Sequence, residues 1–351
     1  MEIDNHKKLI NGRLEFLNFI ETLNKSNTHY SEISIFWKNE HNKFNFINKL
    51  DFVPSEDTLI NIRTWENRNA MGNGNSKDQL NWANQSYNRL LNAIPEDLIQ
   101  KFANNLIESD YGNPIKLKTK FGNFSGMYLL NLISTYYIYN SIKTYYNNNN
   151  IDVCEIGAGW GQCCEILNQK LSIASYTTID LKETIVLSYL NACYNYNKDE
   201  IKLINNKEYK KYNFCPSENI RFLEENDKQY DIFINYYSFQ EMSKTNVISY
   251  VNFIKKKLKN NGLFISCNSW DGKGKYEIKH FSDLQLHNFE IIDIFKDKRS
   301  LKHGNKQLYV VCKNVPEPKP IDIDILNSSA LLLRDTESMD SETFLKTIYT
   351  T

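Results

Sequence analysis

The sequence predicts an α/β protein in which a doubly wound sheet follows a mainly helical N-terminal region. From residue 151 onward, short apolar runs of strand length alternate with longer runs that have helical spacing. Before residue 146 the apolar residues recur at helical spacing without this alternation. We therefore expect a helical domain over residues 1–146, an α/β domain over residues 147–315 and a C-terminal tail over residues 316–351.

Two helices stand out in the N-terminal region. Pro95, Glu96 and Asp97 place a proline and two acids where a helix begins, which suits the first turn and its dipole. A second, strongly apolar helix is expected from Gly126 onward. The polar run at residues 147–150 ends it and marks the domain boundary.

Strands and helices then alternate along the chain. Strands are expected at residues 151–157, 176–180, 231–236 and 262–268, and helices at residues 161–171, 182–194 and 245–260. Another strand is expected at residues 219–223, with residues 201–205 as the competing candidate. The runs at residues 289–295 and 307–313 are joined by a short polar link, so we expect an antiparallel hairpin that closes the sheet.

The composition argues against several classes of function. Lys and Arg number 42 and Asp and Glu number 42, so the neutral chain has no electrostatic reason to bind nucleic acid or an anionic membrane. The seven cysteines are odd in number and lack CxxC pairs, which favours free thiols in a reducing compartment. Neither a secretory signal nor a membrane-spanning apolar run is evident. We therefore expect a cytoplasmic protein without membrane insertion.

A glycine-rich loop follows the first strand of the α/β region, in the stretch VCEIGAGWGQ at residues 153–162. A P-loop needs Gly-Lys-Ser/Thr, which is absent, and a dinucleotide site has G-x-G-x-x-G, whereas Gly161 comes one position early. Glu155, two positions before Gly157, would repel a pyrophosphate and attract an ammonium group through a charge-assisted hydrogen bond. These features favour S-adenosylmethionine, which combines a nucleoside with an amino acid.

An acid at the end of the second strand fits the same ligand. The two oxygens of Asp180 can accept hydrogen bonds from both ribose hydroxyls. NAD-dependent enzymes place an acid similarly, so Asp180 alone does not separate the two cofactors. The expected cofactor-binding residues are Glu155, Gly157, Ala158, Gly159, Gly161, Asp180, Leu181, Asn235 and Gln240.

With these features the chain resembles the class I S-adenosylmethionine-dependent methyltransferases, and more narrowly the sugar O-methyltransferase family. The resemblance covers about residues 110–315 and rests on CEIGAGWGQCCEIL (154–167), YTTIDLKETIVLSYL (176–190) and DIFINYYSFQEM (231–242). It departs at Lys182, where the family often has proline. The resemblance implies a Rossmann-like, seven-stranded sheet and S-adenosylhomocysteine as product. It also implies a sugar acceptor, such as a nucleotide-activated hexose or heptose or a glycan precursor, for bacterial capsule or lipopolysaccharide.

The fourth strand indicates which atom is methylated. Nucleobase N-methyltransferases often carry Asn/Asp-Pro-Pro-Tyr/Phe here, whereas this chain reads Asn-Tyr-Tyr-Ser at residues 235–238, so we expect an oxygen acceptor. Its hydroxyl must lose a proton, and Glu241 is the first candidate base and His280 the second. The candidate acceptor-binding residues are Tyr236, Tyr237, Asn268 and Trp270. No Asp-Asp-Asn cluster follows this strand, so we expect no metal, although a divalent cation can lower a hydroxyl pKa.

Three alternative functions remain open at this point. They are methylation of a non-sugar small molecule, an NAD-binding oxidoreductase, and an inactive methyltransferase-like module that binds a partner protein. The helical N-terminal domain is expected to cap the cofactor cleft, to contribute to acceptor binding and to be the contact surface of any homo-oligomer.

Overall fold

The computed structural model describes residues 2–23, 30, 63, 76–270, 277–298 and 307–349. The N-terminal region contains α1 (Glu2–Thr22), α2 (Ser76–Ala93), α3 (Glu96–Ala103), a hairpin of β1 (Lys116–Thr119) and β2 (Gly122–Ser125), and α4 (Gly126–Tyr145). Both predicted helices are confirmed. The hydroxyl of Ser125 caps α4 by accepting a hydrogen bond of 3.3 Å from the backbone amide of Tyr128.

One mixed sheet forms the centre of the molecule. Its strands are β3 (Ile151–Ile156), β4 (Ile173–Asp180), β5 (Ile201–Leu203), β6 (Tyr212–Pro216), β7 (Tyr230–Tyr236), β8 (Leu258–Asn268), β9 (Glu290–Lys296) and β10 (Leu308–Lys313). Their order is β5-β6-β4-β3-β7-β8-β10-β9. Only β10 runs antiparallel to its neighbours, β8 and β9. The predicted doubly wound sheet and its closing hairpin are therefore confirmed.

Within the described part of the chain the sheet has eight strands, one more than expected. Residues 201–203 and 212–216 are both strands, whereas the strand predicted at residues 219–223 is wrong. That segment forms a 3-10 turn and the short helix α7 (Arg221–Glu224), and Ile220 and Leu223 are buried at the helical spacing of three. The sequence pattern does not predict strand β6, because all of its residues are buried and it therefore lacks alternation between apolar and polar residues.

The hydrophobic core lies on both faces of the sheet. Val153 belongs to one cluster of buried residues and Cys154, the next residue of β3, to the other, because successive side chains of a strand point to opposite faces. Helices α5 (Gln162–Lys170), α6 (Lys182–Asn195) and α8 (Lys244–Lys257) connect the parallel strands. The first helix packs on this domain, since the rings of Phe16 and Tyr189 lie 5.8 Å apart.

The C-terminal tail is part of the fold. It forms α9 (Ile323–Asp335) and α10 (Ser341–Tyr349), and Leu326, Phe344 and Ile348 are fully buried in the second cluster. Among the helices of the described ranges, none is both long enough and apolar enough to cross a membrane.

Candidate cofactor and active site

A cleft of about 300 Å³ opens at the carboxyl ends of β3, β4 and β7. The strand order diverges at β3, because β4 leads to one edge of the sheet and β7 to the other, and ligands of doubly wound sheets bind at this point. The cleft is lined by Tyr30, Met127, Asn131, Ile156, Gly157, Ala158, Gly159, Trp160, Gln162, Ile179, Asp180, Leu181, Thr184, Tyr236, Tyr237, Ser238, Glu241, Met242, Asn246 and Tyr250.

Sequence reasoning found part of this wall. The predicted residues that line the cleft are Gly157, Ala158, Gly159, Asp180, Leu181, Tyr236, Tyr237 and Glu241. The predicted residues that do not line it are Glu155, Gly161, Asn235, Gln240, Asn268, Trp270 and His280.

The glycine loop is held by hydrogen bonds within the protein. The amide of Gly157 donates to the carbonyl of Ile179 at 2.8 Å, and the amide of Gly161 donates to the carbonyl of Ala158 at 2.9 Å. The amide of Gly159 donates to Asp180 at 3.0 Å. Phosphate-binding loops instead turn successive free amides toward the ligand. This loop therefore does not offer its glycine amides to a pyrophosphate.

Gly157 is required by both conformation and space. Its φ of 78° is left-handed, and a Cβ atom there would lie 2.2 Å from the hydroxyl of Ser238. Gly161 lies outside the cleft wall and is the N-cap residue of α5.

Asp180 lies at the end of β4 and faces the cleft. One carboxylate oxygen accepts hydrogen bonds from the amide of Leu181 at 2.8 Å and the hydroxyl of Thr184 at 2.6 Å. The other accepts from the amide of Gly159 at 3.0 Å, and the amide of Ala158 also donates toward this carboxylate. Burial raises the pKa of Asp180, and these donors oppose that effect. Asp180 also lines the cleft, so a ligand hydroxyl can approach its carboxylate beside these donors.

Glu155 lies beneath the loop rather than in the cleft wall. The residue is fully buried, and one oxygen accepts a hydrogen bond of 2.7 Å from the hydroxyl of Tyr176. The other oxygen has no hydrogen-bond partner among the described residues. Burial raises the pKa of Glu155 from 4.5 to about 8, assisted by the nearby charge of Asp180. Glu155 belongs to a central strand, so its side chain points from the sheet into the layer of helices. It therefore makes no direct contact with the cleft.

Three predicted amide side chains form a buried network behind the cleft. The side-chain nitrogen of Asn235 donates to the carbonyl of Ile156 at 3.0 Å, and that of Asn268 donates to the oxygen of Asn235 at 2.8 Å. The oxygen of Asn268 accepts from the amide of Gln240 at 3.2 Å, and Gln240 in turn accepts from the amide of Ser269 at 2.9 Å. These residues fix the turn that follows β7.

Two consecutive tyrosines both reach the cleft. Successive residues of a strand normally point to opposite faces, but Tyr237 has a φ of 60°, which is unusual for a bulky residue. The hydroxyl of Tyr237 donates to the buried carboxylate of Asp297, and the hydroxyl of Tyr236 donates to Asn131 at 3.2 Å. The left-handed residue thus breaks the alternation and brings both rings to the wall.

The two candidate bases occupy different places. Glu241 ends the 3-10 turn after β7 and lines the cleft. His280 is exposed and precedes another 3-10 turn, outside the cleft wall. Trp270 is buried against the ring of Phe281 at 4.9 Å, which explains why the cleft does not include it. Residues 271–276, which lie between Trp270 and His280 in the sequence, are outside the described residues.

Sequence reasoning missed several residues of the wall. The position of Gln162, directly after the last glycine of the loop, could have indicated that it belongs to the cleft wall. Asn131 is the polar residue that interrupts the apolar run GMYLLNLI at the start of α4, and this interruption is also visible in the sequence. Tyr30, Tyr250 and Asn246 come from distant parts of the chain, and no local pattern identifies them.

The charged side chains in the described lining of the cleft are acidic. Asp180 and Glu241 are acidic, and the described residues of the lining include no lysine, arginine or histidine. Within the described ranges, no group of three His, Cys, Asp or Glu side chains could hold a metal ion. A cationic ligand is therefore favoured over an anionic one.

Comparison with known proteins identifies similar folds only. No family model and no curated protein matches the sequence. Among solved structures, the [4+2]-cyclase SpnF has 12% identity, covers 66% of this chain and 94% of its own, and gives a TM-score of 0.39. The ribosomal protein L11 methylase of Lactobacillus delbrueckii subsp. bulgaricus has 15% identity, 51% and 78% coverage and a TM-score of 0.33.

A third similar structure is the plantazolicin methyltransferase BamL in complex with a triazolic desmethylPZN analog and SAH. It has 14% identity, covers 52% of this chain and 84% of its own, and gives a TM-score of 0.35. One fold supports many reactions, so these similarities assign neither a reaction nor a substrate to this chain.

Proposed function

We propose that the protein is an S-adenosylmethionine-dependent methyltransferase that methylates a hydroxyl group of a sugar. The observation that carries the proposal is the charge of the cleft. Its described lining has two carboxylates and no cationic side chain. S-adenosylmethionine brings a sulfonium and an ammonium group, whereas NAD brings two phosphates, which this wall would repel.

The hydrogen bonds of the loop support the same cofactor. The three glycine amides already donate within the protein, so a pyrophosphate would find no free amides from them. Asp180 lines the cleft, where its carboxylate can accept a hydrogen bond from a ribose hydroxyl. We therefore assign the ribose contact to Asp180.

The reaction transfers the methyl group from sulfur to an acceptor oxygen. The carbon–sulfur bond breaks as the carbon–oxygen bond forms, and the acceptor hydroxyl loses its proton. Glu241 is the proposed base, because it is the carboxylate of the described wall that follows β7, while Asp180 binds the cofactor. The residues of the cleft must also align oxygen, methyl carbon and sulfur.

The acceptor proposal draws on the resemblance to sugar O-methyltransferases and on the aromatic wall. Tyr30, Trp160, Tyr236, Tyr237 and Tyr250 line the cleft, and the apolar faces of sugar rings pack well on aromatic rings. We propose a nucleotide-activated hexose or heptose, or a glycan precursor for a surface polysaccharide. Because this wall would repel phosphates, the sugar ring of a nucleotide-activated acceptor would enter the cleft and its diphosphate would lie outside the described lining. The N-terminal region contributes Met127 and Asn131 to the wall, which supports its proposed role as a cap.

Calorimetry tests the cofactor. S-adenosylhomocysteine should bind with micromolar affinity, and NAD should produce no heat of binding at the same concentrations. Tight NAD binding without S-adenosylhomocysteine binding would overturn the proposal in favour of an oxidoreductase. Methylation is then assayed with labelled S-adenosylmethionine and a panel of nucleotide-activated hexoses and heptoses. Turnover only with non-sugar hydroxyl compounds would replace the sugar acceptor but retain the reaction.

A further inference from the structure

Tyr237 has a backbone conformation that bulky residues rarely adopt. Its φ is 60°, and the other non-glycine residues with left-handed φ in the described ranges are asparagine or glutamine residues. The side chain of tyrosine cannot stabilise this conformation by a local hydrogen bond as asparagine can, so contacts elsewhere must hold it. Strained residues of this kind are concentrated at ligand-binding sites. The conformation of Tyr237 therefore indicates a functional role.

Three contacts fix Tyr237 at the wall of the cleft. Its backbone amide donates to the carbonyl of Cys267 at 2.7 Å, and its hydroxyl donates to the carboxylate of Asp297. Its ring lies 5.8 Å from that of Tyr236, at an interplanar angle of 77°. Tyr236 is held in turn by Asn131, to which its hydroxyl donates at 3.2 Å. The rings of Tyr236 and Tyr237 thereby form a fixed aromatic corner that lines the cleft.

Asp297 is a carboxylate in aromatic surroundings. It is 4% exposed and lies two residues after Phe295, whose ring stacks on that of Tyr309 at 5.2 Å. Burial raises the pKa of Tyr137, and the nearby charge of Asp297 adds to that effect. A buried charge costs free energy, and replacing buried charges by apolar residues often leaves a fold equally stable. The carboxylate at this position therefore indicates a role beyond packing.

The sheet brings Asp297 to the edge that carries the cleft. Leu308, the first residue of β10, pairs with Lys296 of β9 on one side and with Asn268 of β8 on the other. The carboxyl ends of β8 and β9 therefore lie at the same edge. The carboxyl end of β7 lies there too, because β7 and β8 are parallel. Asp297, the residue after β9, can thus reach Tyr237, the residue after β7.

The aromatic corner lies on the side of the cleft that holds the proposed base. Asp180, the proposed ribose contact, ends β4 on one side of β3, whereas Tyr236 ends β7 on the other side. Glu241 ends the turn that follows the same strand. The apolar face of a sugar ring packs on an aromatic ring, and a ring that is already fixed loses little freedom on binding. A sugar on this corner would therefore share its side of the cleft with Glu241.

We propose that the acceptor sugar packs on the ring of Tyr237, and that Asp297 is a positioning residue that fixes this ring. Tyr237 contributes the face of its ring, and Asp297 acts through the hydrogen bond from the Tyr237 hydroxyl. This inference rests on the proposed function and assigns the acceptor end of the cleft. The fixed, strained conformation distinguishes Tyr237 from the other aromatic residues of the wall.

Steady-state kinetics test the inference, with the best acceptor among the nucleotide-activated hexoses and heptoses as the probe. Asp297→Asn keeps the size of the side chain but removes the charge that holds the Tyr237 hydroxyl. KM for the acceptor should rise by about tenfold, the lower end of the range for a hydrogen bond to a charged group. The value of kcat should stay within about threefold of wild type, because a packing surface binds substrate and transition state alike. Affinity for S-adenosylhomocysteine, measured by calorimetry, should stay within about twofold.

A double-mutant cycle shows whether Asp297 acts through Tyr237. Tyr237→Phe keeps the ring but removes the hydroxyl, so it should also raise KM for the acceptor. The double variant should be no worse than the weaker single variant, because both changes break the same hydrogen bond.

Asp293→Asn is the matched control. Asp293 lies on the same strand as the residues before Asp297 and accepts a hydrogen bond of 3.0 Å from the hydroxyl of Tyr145, but neither residue lines the cleft. Its KM should match that of wild type. An unchanged KM in Asp297→Asn or Tyr237→Phe, or additive effects in the double variant, would overturn the inference.

A crystal structure of the wild-type protein with S-adenosylhomocysteine and the same acceptor decides the question even if the variants fold poorly. Carbon atoms of the sugar ring should lie within about 4.5 Å of the ring of Tyr237. A sugar bound elsewhere in the cleft would refute this role but leave the methyltransferase proposal intact. A wild-type protein that methylates no sugar of the panel would overturn the proposed acceptor, and this inference with it.

Discussion

The backbone amide of Gly159 donates a hydrogen bond of 3.0 Å to the carboxylate of Asp180, which joins the glycine loop after β3 to the end of β4. The same carboxylate accepts from Leu181 and Thr184 at the start of α6. Asp180 therefore supports the shape of the cleft as well as facing the ligand. Its substitution should affect both binding and loop geometry.

Asp180→Ala should weaken S-adenosylhomocysteine binding by about 1.5–3 kcal/mol, the range for a hydrogen bond to a charged group. Calorimetry measures this change, and circular dichroism establishes that the variant is folded. Asp199→Ala is the control, because Asp199 is an exposed acid outside the cleft. An unchanged dissociation constant in a folded Asp180→Ala protein would rule out the ribose role.

Gly157 and Gly159 should respond differently to substitution by alanine. Both have left-handed φ angles, of 78° and 53°, which costs an alanine about 1–2 kcal/mol. Only at Gly157 would the added Cβ atom collide with Ser238, whereas nothing lies within 4 Å of a Cβ at Gly159. Gly157→Ala should therefore destabilise by about 1–3 kcal/mol more than Gly159→Ala. Urea unfolding measures the loss of stability in both variants. Equal losses would show that the backbone conformation alone determines the effect of the substitution.

The sequence allowed prediction of this loop and its acid because both are local. A strand, a run of glycines and a helix start are contiguous in residues 151–162, and Asp180 ends the next strand. The sequence predicts ligand contacts for Asn235 and Asn268, and the structure shows a hydrogen bond between their side chains. Their pairing depends on the registers of β7 and β8, which no single segment encodes. The ring of Trp270 packs on Phe281, which belongs to a later turn, and no local pattern encodes that contact.

Glu155 should make the stability of the protein depend on pH. Burial raises its pKa from 4.5 to about 8, so between these values the native state holds a proton that the unfolded state has released. Stability from this group should therefore fall as pH rises through that window, by at most about 1.4 kcal/mol per pH unit, and become constant above it. The Glu155→Gln protein has no titratable group at this position, so its stability should depend less steeply on pH than that of the wild type.

Urea unfolding of both proteins at several pH values between 5 and 9 measures the difference. Other buried acids, such as Glu165, are present in both proteins, so the difference between the two profiles isolates Glu155. Parallel profiles would mean that Glu155 is ionised in the native state throughout. In that case a cationic group close to its second oxygen would be required.

Glu241→Gln tests the proposed base. Gln keeps the size of the side chain but cannot accept the proton of the acceptor hydroxyl, so turnover should fall by about 10²- to 10⁴-fold. That fall corresponds to about 3–5 kcal/mol in the activation barrier. Affinity for S-adenosylhomocysteine should remain near wild type, because Asp180 supplies the proposed ribose contact.

Glu218→Gln is the control, since Glu218 pairs with Lys182 and does not line the cleft. Its turnover should match that of wild type. A fall of less than tenfold in Glu241→Gln would assign Glu241 a structural role in the turn after β7. His280 lies outside the cleft wall, so His280→Ala should be mild in either case. Were both variants mild, loss of activity in EDTA and recovery with magnesium would identify a divalent cation as the group that lowers the hydroxyl pKa.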